Sequence, residues 1–201
     1  MAVLHFVQGV LVVVLSTDFF LPVMTNYLKF DAAAQSLQPS PETIYDLRIG
    51  PAVAIFLFLS SLAHFLLVLP GIYDWYVANL KKGINYARWI EYSLSSSVMI
   101  VVISMLVGIY DLSTLILAFS INAVMILCGM IMEVHNQSTK VTNWLSYWVG
   151  CFAGAVPWVV IALFLFGSGD ENAGPPTFVY YIFFSIFLFF NTFAVNMYLQ
   201  Y

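Results

Sequence analysis

Four ionisable side chains stand inside long apolar stretches of this sequence: His5, His64, Glu91 and Glu133. Ionisable groups are costly inside a membrane or an apolar core, so each is a candidate functional residue. Imidazoles can relay protons near neutral pH, and a carboxylate can hold a buried cation. The alternatives are that the histidines only hydrogen-bond a neighbouring helix or reach the interface, and that Glu133 ends a helix in water.

The segment around Glu91 is the richest in polar groups. Glu91 and Ser95 are four residues apart, so on a helix they share a face, with the hydroxyl one turn deeper. This pair could hold a buried cation and share a proton network. The spacing equally allows Glu91 to pair with Arg88, three residues earlier, and allows the serines to serve helix packing. The residues alone leave both interpretations open.

A second set of side chains suits an apolar ligand. Asn122 lies deep in an apolar run and must find a partner in the bundle or polarise a ligand. Candidate walls of an apolar pocket are Met125, Trp148, Trp158 and Phe193. Simple packing is the alternative for these side chains. No His, Cys or carboxylate set has metal-ligand spacing, and enzyme motifs such as GxSxG, HExxH and the P-loop are absent, so neither a metal site nor an enzyme is expected.

The composition defines where these groups must sit. Hydrophobic residues make up 62% of the 201 residues and charged residues only 8%, whereas ordinary soluble domains carry about 25% charged residues. The mean hydropathy is +0.94. The chain is therefore predicted to be an integral membrane protein in a lipid bilayer. A net charge of −4 with six basic residues argues against nucleic-acid binding.

The apolar runs predict one all-α transmembrane domain with six spans, since a membrane helix needs about 20 apolar residues. The predicted spans are about 2–24, 49–69, 87–110, 112–132, 141–166 and 177–199. The segment 25–48 is long enough for a small hairpin or an Ω-like loop. Residues 167–176 form an acidic, turn-rich connection.

The basic residues predict the orientation of these spans. Alternate connections place Lys81, Lys82, Arg88 and Lys140 on one side of the membrane. The other side receives Lys29 and Arg48, mixed with acidic residues. The positive-inside rule then predicts a cytoplasmic N-terminus in the cell membrane and an extracellular loop 25–48. All four ionisable groups fall in the inner half of the membrane, with Glu133 at the cytoplasmic end.

Several long segments resemble a known family. The stretch that begins at Arg88 reads RWIEYSLSSSVMIVVISMLVGIYD, and FSINAVMILCGMIME, GCFAGAVPW and FLFFNTFAVNMYLQY follow it in order. This succession resembles the heliorhodopsins over essentially the whole chain, and the segment around Glu91 is its most specific part. The resemblance implies a rhodopsin-like bundle of seven membrane helices with a cytoplasmic N-terminus. It also implies a homodimer that binds all-trans retinal as a protonated Schiff base on a lysine of the seventh membrane helix.

The function implied by the resemblance is light sensing with a slow photocycle, signalling to an unknown partner rather than pumping ions. Glu91 matches the Schiff-base counterion and Ser95 the hydroxyl beside it. His5 and His64 match the histidines of the inner polar cavity. The retinal pocket is expected to include Asn122, Met125 and Trp158.

The lysines depart from the family pattern. The four lysines, Lys29, Lys81, Lys82 and Lys140, all lie in predicted loops, so this sequence has no Schiff-base lysine inside a span. Six of the seven expected membrane helices are present in this sequence. We expect the chain to continue past Tyr201 into the seventh. Two alternatives remain: a light-gated or passive proton conductor using the polar groups around Glu91, and a retinal-free membrane scaffold or regulator if the chain ends at Tyr201.

Overall fold

A computed structural model of the protein describes residues 1–167 and 174–201. The described part of the chain forms seven helices and one two-stranded sheet. In chain order these are α1 (Ala2–Leu15), β1 (Phe20–Asp31), β2 (Ser36–Arg48), α2 (Ile49–Leu66), α3 (Ile72–Leu80), α4 (Tyr86–Leu106), α5 (Leu112–Asn136), α6 (Leu145–Gly167) and α7 (Thr177–Gln200). Most of the acidic connection predicted at 167–176 lies outside the described residues.

Five of these helices, α2, α4, α5, α6 and α7, are long and apolar enough to cross a membrane. They occupy the positions of the last five predicted spans. The short helix α3 falls in a segment predicted only as a connection, and its 9 residues are too few to span a bilayer.

The first predicted span, 2–24, is wrong in its second half. Helix α1 has 14 residues and ends at Leu15, where Ser16 turns to an extended conformation and its hydroxyl donates to the Val13 carbonyl at 2.8 Å. The apolar residues that follow belong to β1. Pro22 in this run has no N–H and is poorly suited to a helix interior, but hydropathy alone cannot distinguish an apolar strand from an apolar helix.

Strands β1 and β2 form an antiparallel hairpin, one of the two forms that the sequence left open for this region. The hairpin is attached to the connection between α4 and α5, because the Met24 N–H donates to the Tyr110 carbonyl at 2.8 Å. The next residue, Asp111, caps α5 by accepting from the Thr114 N–H at 2.9 Å. We call this side of the bundle the hairpin end, and the opposite side, where α3 lies, the α3 end.

Helix α4 lies at the centre of the bundle and packs against α2 and α5, while α5 also packs against α6. Its small serine side chains allow this close packing. The hydroxyls of Ser93, Ser96, Ser97 and Ser104 donate to carbonyls of the same helix. Ser97, for example, is fully buried and donates to the Ser93 carbonyl at 2.6 Å. The same helix carries Glu91 and Ser95, so the candidate site is built on the most enclosed element of the protein.

Candidate functional site

Ser60 hydrogen-bonds two of the four ionisable residues singled out in the sequence, and a third lies beside them. Its hydroxyl donates to Glu91 Oε1 at 2.5 Å, and its carbonyl accepts from His64 Nδ1 at 2.7 Å. The ring of His5 lies beside that of His64, with 5.5 Å between the centroids. Helices α1, α2 and α4 thereby bring His5, His64 and Glu91 into one polar cluster towards the α3 end.

A cavity of about 880 Å³ opens beside this cluster, between α2, α4, α5, α6 and α7. Its wall is mostly aromatic and aliphatic, with a few hydroxyl groups. Residues that define it include Ser60, Trp89, Ser95, Met125, Tyr147 and Phe193. Ser60 is thus both a wall residue and the hydrogen-bond donor to Glu91, which places the carboxylate directly behind the cavity surface.

The residues predicted for the pocket occupy three different environments. Ser95 is buried and lines the cavity, as does Met125. Asn122 is buried outside the lining, and its amide donates to Ser96 Oγ at 2.8 Å and to Ser97 Oγ at 3.1 Å. Asn122 therefore has partners within the bundle, and its link to the cavity runs through Ser96, which does line it.

Trp158 lies away from the cavity lining. It is buried and packs edge-on against three phenylalanine rings of α7, with centroid distances of 5.3–5.7 Å. These rings belong to Phe183, Phe187 and Phe190. Its observed contacts join α6 to α7, and among them only Phe190 also lines the cavity.

Glu133 does not end its helix in water, so that expectation is wrong. Its side chain is only 1% exposed and is surrounded by donors from the start of α4. One carboxylate oxygen accepts from the Asn85 N–H at 3.1 Å and from Trp89 Nε1 at 2.7 Å, and the other pairs with the Arg88 guanidinium. These donors offset the cost of burying the carboxylate.

The pairing of Arg88 also decides one alternative left open by the sequence. Arg88 forms its ion pair with Glu133 on α5, not with Glu91 one turn along its own helix. Tyr201, just after α7, lies close to this pair: burial raises the pKa of its phenol, the Glu133 carboxylate raises it further, and the Arg88 charge lowers it. The Glu91 carboxylate is therefore not paired with Arg88 and accepts a hydrogen bond from Ser60 at the cavity wall.

Trp89 joins the ion pair to the cavity. Its indole donates to Glu133 and lies 4.6 Å from the Arg88 guanidinium, while its ring meets Phe193 edge-on at 5.3 Å. It also forms part of the cavity wall. Helix α5 can approach the ring closely because residue 129 is glycine, where a Cβ would lie 2.3 Å from the indole.

Two glycines provide a matched test of this close approach. We expect Gly129→Ala to destabilise the protein by about 1–3 kcal/mol, because the added methyl overlaps the enclosed Trp89 ring. Gly154→Ala should be near neutral, since its methyl would meet the flexible end of the Met125 side chain. Unfolding in mixed micelles measures both variants, and equal losses would contradict the rigid placement of Trp89.

Sequence reasoning missed Ser60 and Trp89 as site residues. Ser60 is four residues before His64 in the same helix, so helical spacing already placed the two together. For Trp89, the available signal was that the start of α4 and the end of α5 meet at the same end of the bundle, where Glu133 needed a donor. Neither signal was decisive without knowing which helices are neighbours.

Comparison with known proteins identifies the family. The family model for heliorhodopsin matches residues 1–201. No curated protein matches the chain at a significant level. The family match agrees with the predicted resemblance and with an α-helical membrane bundle whose described part has five candidate spans. It covers the cavity, the Glu91 cluster and the buried ion pair alike. This chain therefore belongs to the heliorhodopsin family, whose members are rhodopsin-type light-sensing membrane proteins.

Proposed function

We propose that this membrane protein senses light through retinal held in the cavity that Ser60 lines, with Glu91 as the counterion. The observation that carries the proposal is the juxtaposition of a large apolar cavity with a half-buried carboxylate, joined by the Ser60 hydroxyl. Family membership supports the light-sensing role, and the geometry supports the choice of cavity and counterion.

The described residues suit an apolar chromophore. The cavity volume of about 880 Å³ lies within the roughly 300–1,000 Å³ usual for small-molecule sites. Aromatic and methionine side chains, among them Trp89, Met125 and Phe193, would enclose a polyene and exclude water. The four lysines of the sequence lie outside the cavity lining, so none of the four is assigned as the Schiff-base lysine that the family resemblance implies.

Each polar residue has a distinct task in this proposal. Retinal, when bound, supplies the absorption of light and the isomerisation. Glu91 supplies a negative charge that stabilises a cation at its end of the cavity, and Ser60 orients that carboxylate. Ser95 offers a hydroxyl at the wall. His64 and His5 lie next in line and would receive or buffer a proton when the charge balance changes.

The distribution of polar groups favours sensing over proton conduction. Within the described spans and α1, the histidine, acidic and basic side chains all lie towards the α3 end; they are His5, His64, Arg88, Glu91, Glu133 and His135. A conducting path would need comparable groups in the half nearer the hairpin end. Photocurrents recorded from voltage-clamped cells should therefore be negligible, and a steady photocurrent would favour the conductor.

Orientation and assembly are part of the same proposal. A cytoplasmic N-terminus is supported by the basic residues of the α3 end, Lys81, Lys82, Arg88 and Lys140. A homodimer, a slow photocycle and signalling to an unidentified partner follow from the resemblance to the family. Cysteine labelling of the α3 end from each side of the membrane tests the orientation.

The first experiment adds all-trans retinal to the purified full chain. Binding in the cavity should quench tryptophan fluorescence, since Trp89 forms part of the wall, and Trp89→Phe should reduce that quenching. A visible band well to the red of free retinal, bleached by hydroxylamine, would establish a protonated covalent linkage. If both the quenching and the shifted band are absent, the proposal is overturned, and a retinal-free scaffold or regulator is favoured.

A further inference from the structure

Helix α3 has the features of a helix that rests on a membrane surface. Its 9 residues join two candidate spans, α2 and α4, so it must lie near the level of the lipid headgroups. Residues at helical spacing form one apolar face: Ile72, Tyr73, Tyr76, Val77 and Leu80. Tyr73, on this face, is 55% exposed. Trp75 lies outside this face, stacks on Tyr86 at 6.1 Å between the ring centroids and is 46% exposed. Tyrosine and tryptophan are the residues enriched at the membrane–water interface.

A turn carrying two lysines follows α3. Lys81 and Lys82 are exposed, and neither belongs to an ion pair formed by the described residues. The turn has a fixed backbone because Gly83 adopts a left-handed conformation with φ of +77°. The Gln137 side chain at the end of α5 donates to the Lys82 carbonyl at 2.8 Å. Both ammonium groups are thus presented from an anchored segment.

The charges at the α3 end are complementary to an anionic surface. Lys140 lies three residues after Gln137 and adds another exposed cation to this end. Of the carboxylates there, Glu133 is buried and paired with Arg88, which leaves Asp74 as the acidic group of α3 itself. The hairpin end, by contrast, carries several exposed carboxylates. The exposed positive charge is therefore next to the interfacial aromatic residues.

We propose that α3 and the Lys81–Lys82 turn form a docking surface for the headgroups of anionic phospholipids in the adjoining leaflet. The aromatic and aliphatic face enters the interfacial region, and the two ammonium groups contact the lipid phosphates. This position tethers the connection between α2 and α4, which carry Ser60 and Glu91. The docking surface is independent of whether the cavity binds retinal.

Lipids with brominated acyl chains test the proposal, because bromine quenches a nearby tryptophan. The purified full chain is placed in nanodiscs of phosphatidylcholine with a minor share of either brominated phosphatidylglycerol or brominated phosphatidylcholine. Subtracting the Trp75→Phe signal isolates the contribution of Trp75. We expect phosphatidylglycerol to be enriched at Trp75, and each lysine to account for about fivefold of that preference. Raising the salt concentration to about 1 M should remove most of it, since the Debye length falls to about 3 Å.

The double variant Lys81→Gln, Lys82→Gln should lose the preference, whereas Lys81→Arg, Lys82→Arg should retain it because the charges are kept. Lys29→Gln, on the hairpin, is the matched control and should behave as the wild type. Equal quenching of Trp75 by the two lipids would overturn the proposal, and so would a preference that survives loss of both lysine charges. Unchanged unfolding of the variants shows that their fold is intact.

Discussion

Replacing Glu133 with alanine is expected to lower the free energy of unfolding by about 3–5 kcal/mol, which is usual when one partner of a buried ion pair is removed. The change would leave the Arg88 guanidinium uncompensated and remove the acceptor of the Trp89 indole and of the Asn85 N–H. Denaturant or SDS titration in mixed micelles measures the loss.

Two further variants separate charge from packing at the same position. Glu133→Gln retains an oxygen that accepts from Trp89, so its loss should be smaller than that of the alanine variant. The double variant Arg88→Met, Glu133→Leu replaces the pair with apolar groups and should recover much of the stability. If Glu133→Ala lowered the free energy of unfolding by less than about 1 kcal/mol, the loss would be typical of an exposed ion pair. That result would contradict the burial of the Arg88–Glu133 pair.

Replacing Glu91 with glutamine is expected to have the largest effect on the spectrum of the retinal-loaded protein. The variant keeps the size of the side chain and its contact with Ser60 but removes the negative charge. The protonated retinal linkage then holds its proton less tightly, because the negative charge that stabilised its protonated form is gone. The pH midpoint at which the visible band disappears should fall by about 1–3 units, the usual effect of one opposite charge within a few ångströms. Absorption spectra recorded across pH measure this midpoint.

The controls for Glu91 vary the charge and its hydrogen bond separately. Ser60→Ala keeps the carboxylate and removes the donated hydrogen bond, so it should move the midpoint less than Glu91→Gln does. Glu42→Gln removes a carboxylate on the exposed hairpin and should leave the midpoint unchanged. If Glu91→Gln gave the wild-type midpoint, Glu91 would not be the counterion.

The helices of the bundle were predictable because their dominant signal is local. A membrane span needs only a sufficiently long apolar run, and α2, α4, α5, α6 and α7 each supply one. The end of α1 was not predictable by the same criterion. Apolar residues resume at Phe19, only three positions after Ser16, so hydropathy extends the span while the chain turns into β1. The strand exists because β2, many residues later, pairs with it.

The candidate site was predictable only in part, for a related reason. Glu91 and Ser95 share a helix face, so their common location follows from spacing alone. The burial of Glu133 depends on which helices are neighbours, because its donors come from α4. Hydropathy cannot supply that information. Trp158 illustrates the converse: a tryptophan in an apolar span suits a ligand wall and a helix contact equally, and in the structure its ring packs against α7.

The two places that Trp89 occupies have a thermodynamic consequence. One indole is both part of the cavity wall and a hydrogen-bond donor to the buried Glu133. Any occupant that shifts this ring must change the free energy of the Arg88–Glu133 pair. By linkage, breaking the pair must alter the affinity for that occupant by the same amount. Occupation of the cavity and formation of the Arg88–Glu133 pair are thus coupled through the Trp89 side chain, and the coupling energy is the same in both directions.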